Sequence, residues 1–251
     1  VGTMETIIRG LKRVCDEALA DPSKPIIANC SFTIQIPRLN GGASHEIPID
    51  DSSQAQFKDD LEVLLKTHGA ENRIVSIIEP IFELLDKKDV WIVAAAGNDH
   101  QQGPRPIARY PAAIKQVIGV SALSERGRDI LTSASYSDAA DEPQNDGFAV
   151  FGGSVDLANR KLTSTDPKKG MLGLYYVDIP TASGASSTPS SSTGYLAYWA
   201  GTSFAAPIIT GALAVLRARG MNRGQAIEFL KNLYGKKTVD GGSEEVVWVE
   251  N

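Results

Sequence analysis

The stretch Gly201-Thr202-Ser203-Phe204-Ala205-Ala206-Pro207 runs straight into an apolar series over residues 208–216, so a serine stands where a helix begins. Backbone N–H groups without intrahelical acceptors, and the positive end of the helix dipole, surround a hydroxyl placed there and favour an anion developing beside it. An N-capping serine with proline in the early turns describes many helix starts. Capping, however, does not call for Gly-Thr before the serine or for a small-small-proline run after it. Ser203 is therefore a candidate nucleophile for acyl transfer. Such a hydroxyl is weak at neutral pH and needs a base within hydrogen-bond reach, with a carboxylate to orient that base.

Three histidines are available for that task. His45 lies in a Gly-rich stretch, His68 ends a helical run before Gly69, and His100 follows Gly97-Asn98 by two residues. Each reads as a surface or helix-end histidine rather than as the base. Asp178, after Leu174-Tyr175-Tyr176-Val177, stands at a strand-like end and reads as structural.

The elements that must position Ser203 alternate between helix and strand. Residues 4–20 put Ile7, Ile8, Leu11, Val14, Cys15 and Leu19 on one helical face, ended by Asp21-Pro22-Ser23. Pro25-Ile26-Ile27-Ala28-Asn29-Cys30 is short and rich in β-branched residues, as a strand buried on both faces should be. Alternation around Asn40-Gly41-Gly42 predicts a hairpin or extended loop over residues 32–52, followed by helices at about 54–67 and about 73–87. Continuous apolar strands follow at Val90-Trp91-Ile92-Val93-Ala94-Ala95 and Gln116-Val117-Ile118-Gly119-Val120-Ser121, with another at Phe148-Ala149-Val150-Phe151. This order favours a mostly parallel sheet flanked by helices.

Residues 181–194 are almost all Thr, Ala, Ser, Gly and Pro and read as a mobile surface loop. Helices are expected at about 203–219, where Gly201, Ala205, Ala206, Gly211, Ala212 and Ala214 keep the helix slim, and at about 223–233. A short strand, Val246-Val247-Trp248-Val249, comes last.

Composition narrows the functional classes. At 251 residues and 42% hydrophobic content, the chain suits one large core. A net charge of -5 spread along the chain supplies no basic surface for nucleic acid or anionic lipid. No apolar run reaches membrane-spanning length, so the chain reads as soluble, and its first residues lack signal-peptide character. Because it opens on Val1 and directly into a helical pattern, the natural polypeptide is expected to start further upstream. Cys15 and Cys30 have neither metal-ligand spacing nor disulfide-scaffold density, and two buried free thiols are expected in preference to one disulfide.

Residues 201–207 resemble the Gly-Thr-Ser-x-Ala-x-Pro signature around the nucleophile of the subtilisin-like serine proteases. Val93-Ala94-Ala95-Ala96-Gly97-Asn98 resembles the strand end of that family whose asparagine donates to the oxyanion; on its own, Gly-Asn would be ordinary turn chemistry. Ala108-Arg109-Tyr110-Pro111-Ala112 is similar to the loop bordering the substrate side-chain pocket. Ala134-Ser135-Tyr136-Ser137 is similar to the family's Ala-Ser-Phe-Ser segment, and Ile27-Ala28-Asn29-Cys30-Ser31 to the strand whose end pairs with the substrate backbone.

The resemblance, covering about residues 7–230, implies a three-layer α/β fold lacking its N-terminal part, with residues 1–251 one catalytic domain. It implies Ser203 and Asn98 as catalytic residues, and Ser31, Ala95, Gly97 and Tyr110 as substrate contacts. No metal or organic cofactor is implied. The substrate would be a peptide or protein, and the resemblance leans towards secretion.

Departures also stand out. Phe32-Thr33 replaces the usual Leu-Gly, residues 32–89 contain an insertion, and Phe151-Gly152-Gly153 replaces Ala-Pro-Gly. The family's Asp and His segments, due before the strand at Ile26, are missing. They are expected on an upstream or separate chain; the alternative is a non-catalytic module of the same fold. An ester hydrolase of the α/β-hydrolase type would carry Gly-x-Ser-x-Gly, which is absent around Ser203.

Overall fold

The computed structural model describes residues 4–34, 74–100, 103–126, 131–140, 147–156, 161–162, 169–175, 195–233, 239 and 245–246. The expected hairpin beyond residue 34, the helix at 54–67, the 181–194 loop, His45, His68, Asp178 and Trp248 lie outside them.

Helix α1 (Met4–Ala20) leads into strand β1 (Ile27–Cys30). Helix α2 (Ile74–Lys87) precedes β2 (Trp91–Ala95), and β3 (Val117–Leu123) and β4 (Phe148–Phe151) follow. Two small antiparallel ribbons come next, β5 (Val155–Asp156) with β6 (Lys161–Leu162), and β7 (Met171–Tyr175) with β8 (Tyr195–Trp199). Helices α3 (Thr202–Ala218) and α4 (Arg223–Asn232) and strand β9 (Glu245–Val246) close the order.

The main sheet runs β1-β2-β3-β4-β9 and every pairing in it is parallel. Strand β2 is buried throughout, and its period of two divides the core. Trp91, Val93 and Ala95 pack with Ile209, Leu213 and Leu216 of α3, whereas Ile92 and Ala94 pack with Leu11 and Cys15 of α1 and Phe82 and Leu85 of α2. Helix, sheet and helix thus form the three layers the apolar strands predict.

Ile209 and Leu213 are completely buried, each contributing on the order of 2 kcal/mol to the union of helix and sheet. Arg217 fastens the other end of α3. It lies over the Trp91 ring, donates to the Ile26 carbonyl at 2.8 Å and pairs with Asp89.

Two details differ from the sequence pattern. On α1 the buried stripe is Leu11, Cys15 and Ala18, while Leu19 is half exposed, because the sheet takes a narrower arc than the apolar positions offered. The β7–β8 ribbon pairs Leu172 with Tyr198 and Leu174 with Leu196, and all three leucines are exposed. Cys15 and Cys30 are free and buried, and burial pushes the Cys30 thiol up to about 12. No single helix among the described residues is long and apolar enough to cross a membrane.

Candidate active site

Ser203 is the second residue of α3 and not its cap. The cap is Gly201, whose φ of 151° is costly for any residue with a Cβ. Its N–H donates to the Gly152 carbonyl at 2.9 Å, which fixes where the helix starts. In the first turn the Ser203 N–H has no acceptor within the helix, so the electrostatic setting read from the sequence is retained.

Asn98 approaches from the exit of β2. Its Oδ1 accepts from the Thr202 backbone N–H at 2.9 Å and from the Thr202 hydroxyl at 3.0 Å. Thr202 Oγ1 in turn accepts the Gly97 N–H at 3.3 Å. With the amide oxygen held by two donors, Nδ2 is left as the donating end of the side chain. A Cβ at Gly201 would lie 3.8 Å from that nitrogen, which puts it at the helix entrance. This role of Thr202 went unread in the sequence, although the residue belongs to the motif that pointed to Ser203.

The loop carrying Asn98 rests on buried polar groups. Asp138, fully buried, accepts from the backbone N–H groups of Asp99 (3.1 Å) and His100 (3.0 Å). Asp99 pairs with Arg109, both largely buried. Arg105 donates to the carbonyls of Ser137 (3.2 Å) and Asp138 (2.9 Å). No charge pattern in the sequence reveals this network, because its members come from two separate connections, β2 to β3 and β3 to β4.

At the exit of β1, Ser31 and Ser203 exchange two hydrogen bonds. The Ser203 hydroxyl donates to the Ser31 carbonyl at 3.2 Å, and the Ser31 hydroxyl donates to the Ser203 carbonyl at 2.9 Å. Ala95 is fully buried at the end of β2, paired with Val120. Tyr110 accepts the Ile34 N–H at 2.8 Å through its carbonyl, so the segment after Ser31 runs along the Tyr110 loop. His100 is occupied elsewhere: its Nε2 lies 3.1 Å from the Gly103 carbonyl. Among the described residues, neither a histidine nor a carboxylate hydrogen-bonds Ser203, and no group of side chains could hold a metal ion.

Beneath the helix entrance, the Tyr136 hydroxyl lies 3.0 Å from the Gly152 carbonyl and 2.9 Å from that of Gly153. Burial raises its pKa well above the ordinary tyrosine value, so the phenol stays a neutral donor. The Gly152 N–H donates to the Leu123 carbonyl at 3.1 Å, and a Cβ at Gly152 would come within 2.5 Å of the Ala122 Cβ. The departure at Phe151-Gly152-Gly153 is therefore matched by close backbone packing.

The Subtilase family model matches residues 2–239. This chain belongs to the subtilase family. No curated protein matches it. Among solved structures, this subtilase is similar to a lanthipeptide protease at 16% identity and TM-score 0.55, over 98% of this chain and 64% of that one. It is also similar to the nisin leader peptidase NisP from Lactococcus lactis at 17% identity and TM-score 0.51, covering 98% and 61%. A cold-adapted subtilisin-like serine proteinase matches at 15% identity and TM-score 0.51, covering 100% and 63%. The subtilase chain thus spans less than two thirds of each of these structures, whose likeness shows the fold.

Proposed function

We propose that this chain is the nucleophile-bearing part of a serine endopeptidase. Ser203 attacks a peptide carbonyl, forming a bond from Oγ to carbon as the carbonyl oxygen becomes an oxyanion. A histidine, oriented by an aspartate, removes the hydroxyl proton and returns it to the leaving amine. Both residues are supplied by an upstream segment or a separate chain. The Ser203 N–H and Asn98 Nδ2 stabilise the oxyanion. Water then releases the acyl group. Ser31, Ala95, Gly97 and Tyr110 are the proposed contacts to an extended peptide substrate, with residues 1–251 forming the C-terminal part of one catalytic domain and residues 32–89 containing the insertion.

The observation that carries this reading is the double anchoring of Asn98 Oδ1 by Thr202. A turn asparagine needs no such arrangement, whereas an amide that must present N–H groups at the helix entrance does. The test is reaction of the full-length protein with a fluorophosphonate, mapped by mass spectrometry. Labelling at Ser203 that falls about 10²–10³-fold in rate on Asn98→Ala, the loss known for the oxyanion asparagine of subtilisin, is the expected result. A folded full-length protein that does not label would favour the non-catalytic module.

A further inference from the structure

We infer that Ser31 is a positioning residue for the nucleophile, holding the Ser203 carbonyl that Pro207 leaves without its helical donor, and that Asn29 aims the Ser31 hydroxyl for this purpose. The inference rests on the reading of Ser203 as nucleophile and adds two residues from a distant strand to its support.

Pro207 leaves the start of α3 one donor short. In an α-helix the carbonyl of residue i accepts the N–H of residue i+4, so Ser203 would receive that of residue 207. Proline has no N–H. An unmatched carbonyl in the first turn leaves the nucleophile's own peptide unit with one less restraint. The Ser31 hydroxyl fills the gap at 2.9 Å. It comes from the end of β1, 172 positions away in sequence, so β1 and the start of α3 become one rigid unit at this point.

Asn29 sets the direction of that hydroxyl. Its Nδ2 donates to Ser31 Oγ at 2.8 Å, which occupies a lone pair and leaves the Ser31 proton to point at Ser203. The Asn29 amide is oriented in turn by the Thr210 hydroxyl, 3.3 Å from Oδ1. Thr210 has one proton, shared with the Ala206 carbonyl at 2.9 Å, so this last link is the weakest of the three. The geometry therefore makes Ser31 more than a residue beside the substrate. Its carbonyl faces the Ser203 hydroxyl while its own hydroxyl fixes the peptide unit from which that side chain projects.

Proline and serine should then be coupled, since Pro207→Ala restores an N–H to the helix and makes the Ser31 donor redundant. The experiment is a double-mutant cycle, Ser31→Ala with Pro207→Ala, in the full-length protein. It is read both as the maximal rate of fluorophosphonate labelling at saturating reagent and as the thermal midpoint. Expected is a loss of about tenfold in maximal rate for Ser31→Ala with the half-saturating reagent concentration unchanged, shrinking to under about threefold in the Pro207→Ala background. The thermal midpoint should show the same rescue. Equal losses in both backgrounds would overturn the inference, as would a change confined to half-saturation, which marks a substrate contact alone. If the wild-type protein does not label, the protease reading falls. The thermal cycle then still decides whether Ser31 substitutes for the missing helical donor, and additivity there sinks it.

Discussion

Two strand exits flank Ser203, and they are held in opposite ways. The exit of β2, carrying Asn98, stands on buried charge: Asp138 beneath it, the Asp99–Arg109 pair beside it, and Arg105 closing the rear. Among the described residues, the exit of β1, carrying Ser31, is held by neutral groups, through the two serine hydroxyls, one amide and a shared threonine proton, with Asn29 exposed. Buried charged networks are costly to break because each lost partner leaves a desolvated group behind. Exposed neutral links can exchange with water at little cost. The Asn98 side is thus held by charge, and the Ser31 side by neutral hydrogen bonds, the outermost of which water can replace.

That contrast can be broken most forcefully at Asp138. Asp138→Ala removes the acceptor for two backbone N–H groups under the Asn98 loop and should lower unfolding free energy by about 3–5 kcal/mol, read by urea denaturation. A loss below about 1 kcal/mol would mean that the charge network does not support the loop. Thr202→Val is expected to come next. It keeps the β-branched shape but removes the hydroxyl that orients Asn98, costing about 1–3 kcal/mol of stability and about ten- to a hundredfold in the labelling rate of Ser203. Unchanged labelling would show that Asn98 needs no such orientation.

The thiol in β1 sharpens the comparison through pH. Cys30 is raised to about 12 in the folded protein, above its unfolded value of about 8.5. The folded state therefore holds the proton longer, so the contribution is complete below pH about 8.5 and is lost as pH rises towards 12, by at most about 1.4 kcal/mol per pH unit. Thermal midpoints across pH 8–11 should fall less steeply in Cys30→Ala than in the wild type; parallel curves would contradict this. The smallest effect is expected from Asn29→Ala, about 0.5–1.5 kcal/mol in urea, because water can replace an exposed amide.

What could be read in the sequence follows the same division. Residues 201–207 were legible because the motif is longer than capping a helix requires and resembles a known signature, and the strands of the parallel sheet because burial on both faces demands unbroken apolar runs. Thr202 escaped notice since its partner Asn98 lies 104 positions away, and Asn29 since Thr210 lies 181 away. Contacts of that span leave no local pattern. Ala18 displaced Leu19 from the core for a related reason: helical periodicity gives the apolar arc, but only the facing layer decides which edge of it is covered.

Gly152 limits which substitutions this backbone accepts. Its N–H is committed to Leu123, its carbonyl to Gly201 and Tyr136, and a Cβ there would run into Ala122. A proline at this point would both forfeit the Leu123 bond and collide with that methyl group. A side chain at position 152 therefore needs Ala122 to give way, and a proline there also leaves the Leu123 carbonyl to find another donor, so the backbone of this connection and the β3 strand beneath it can change only together.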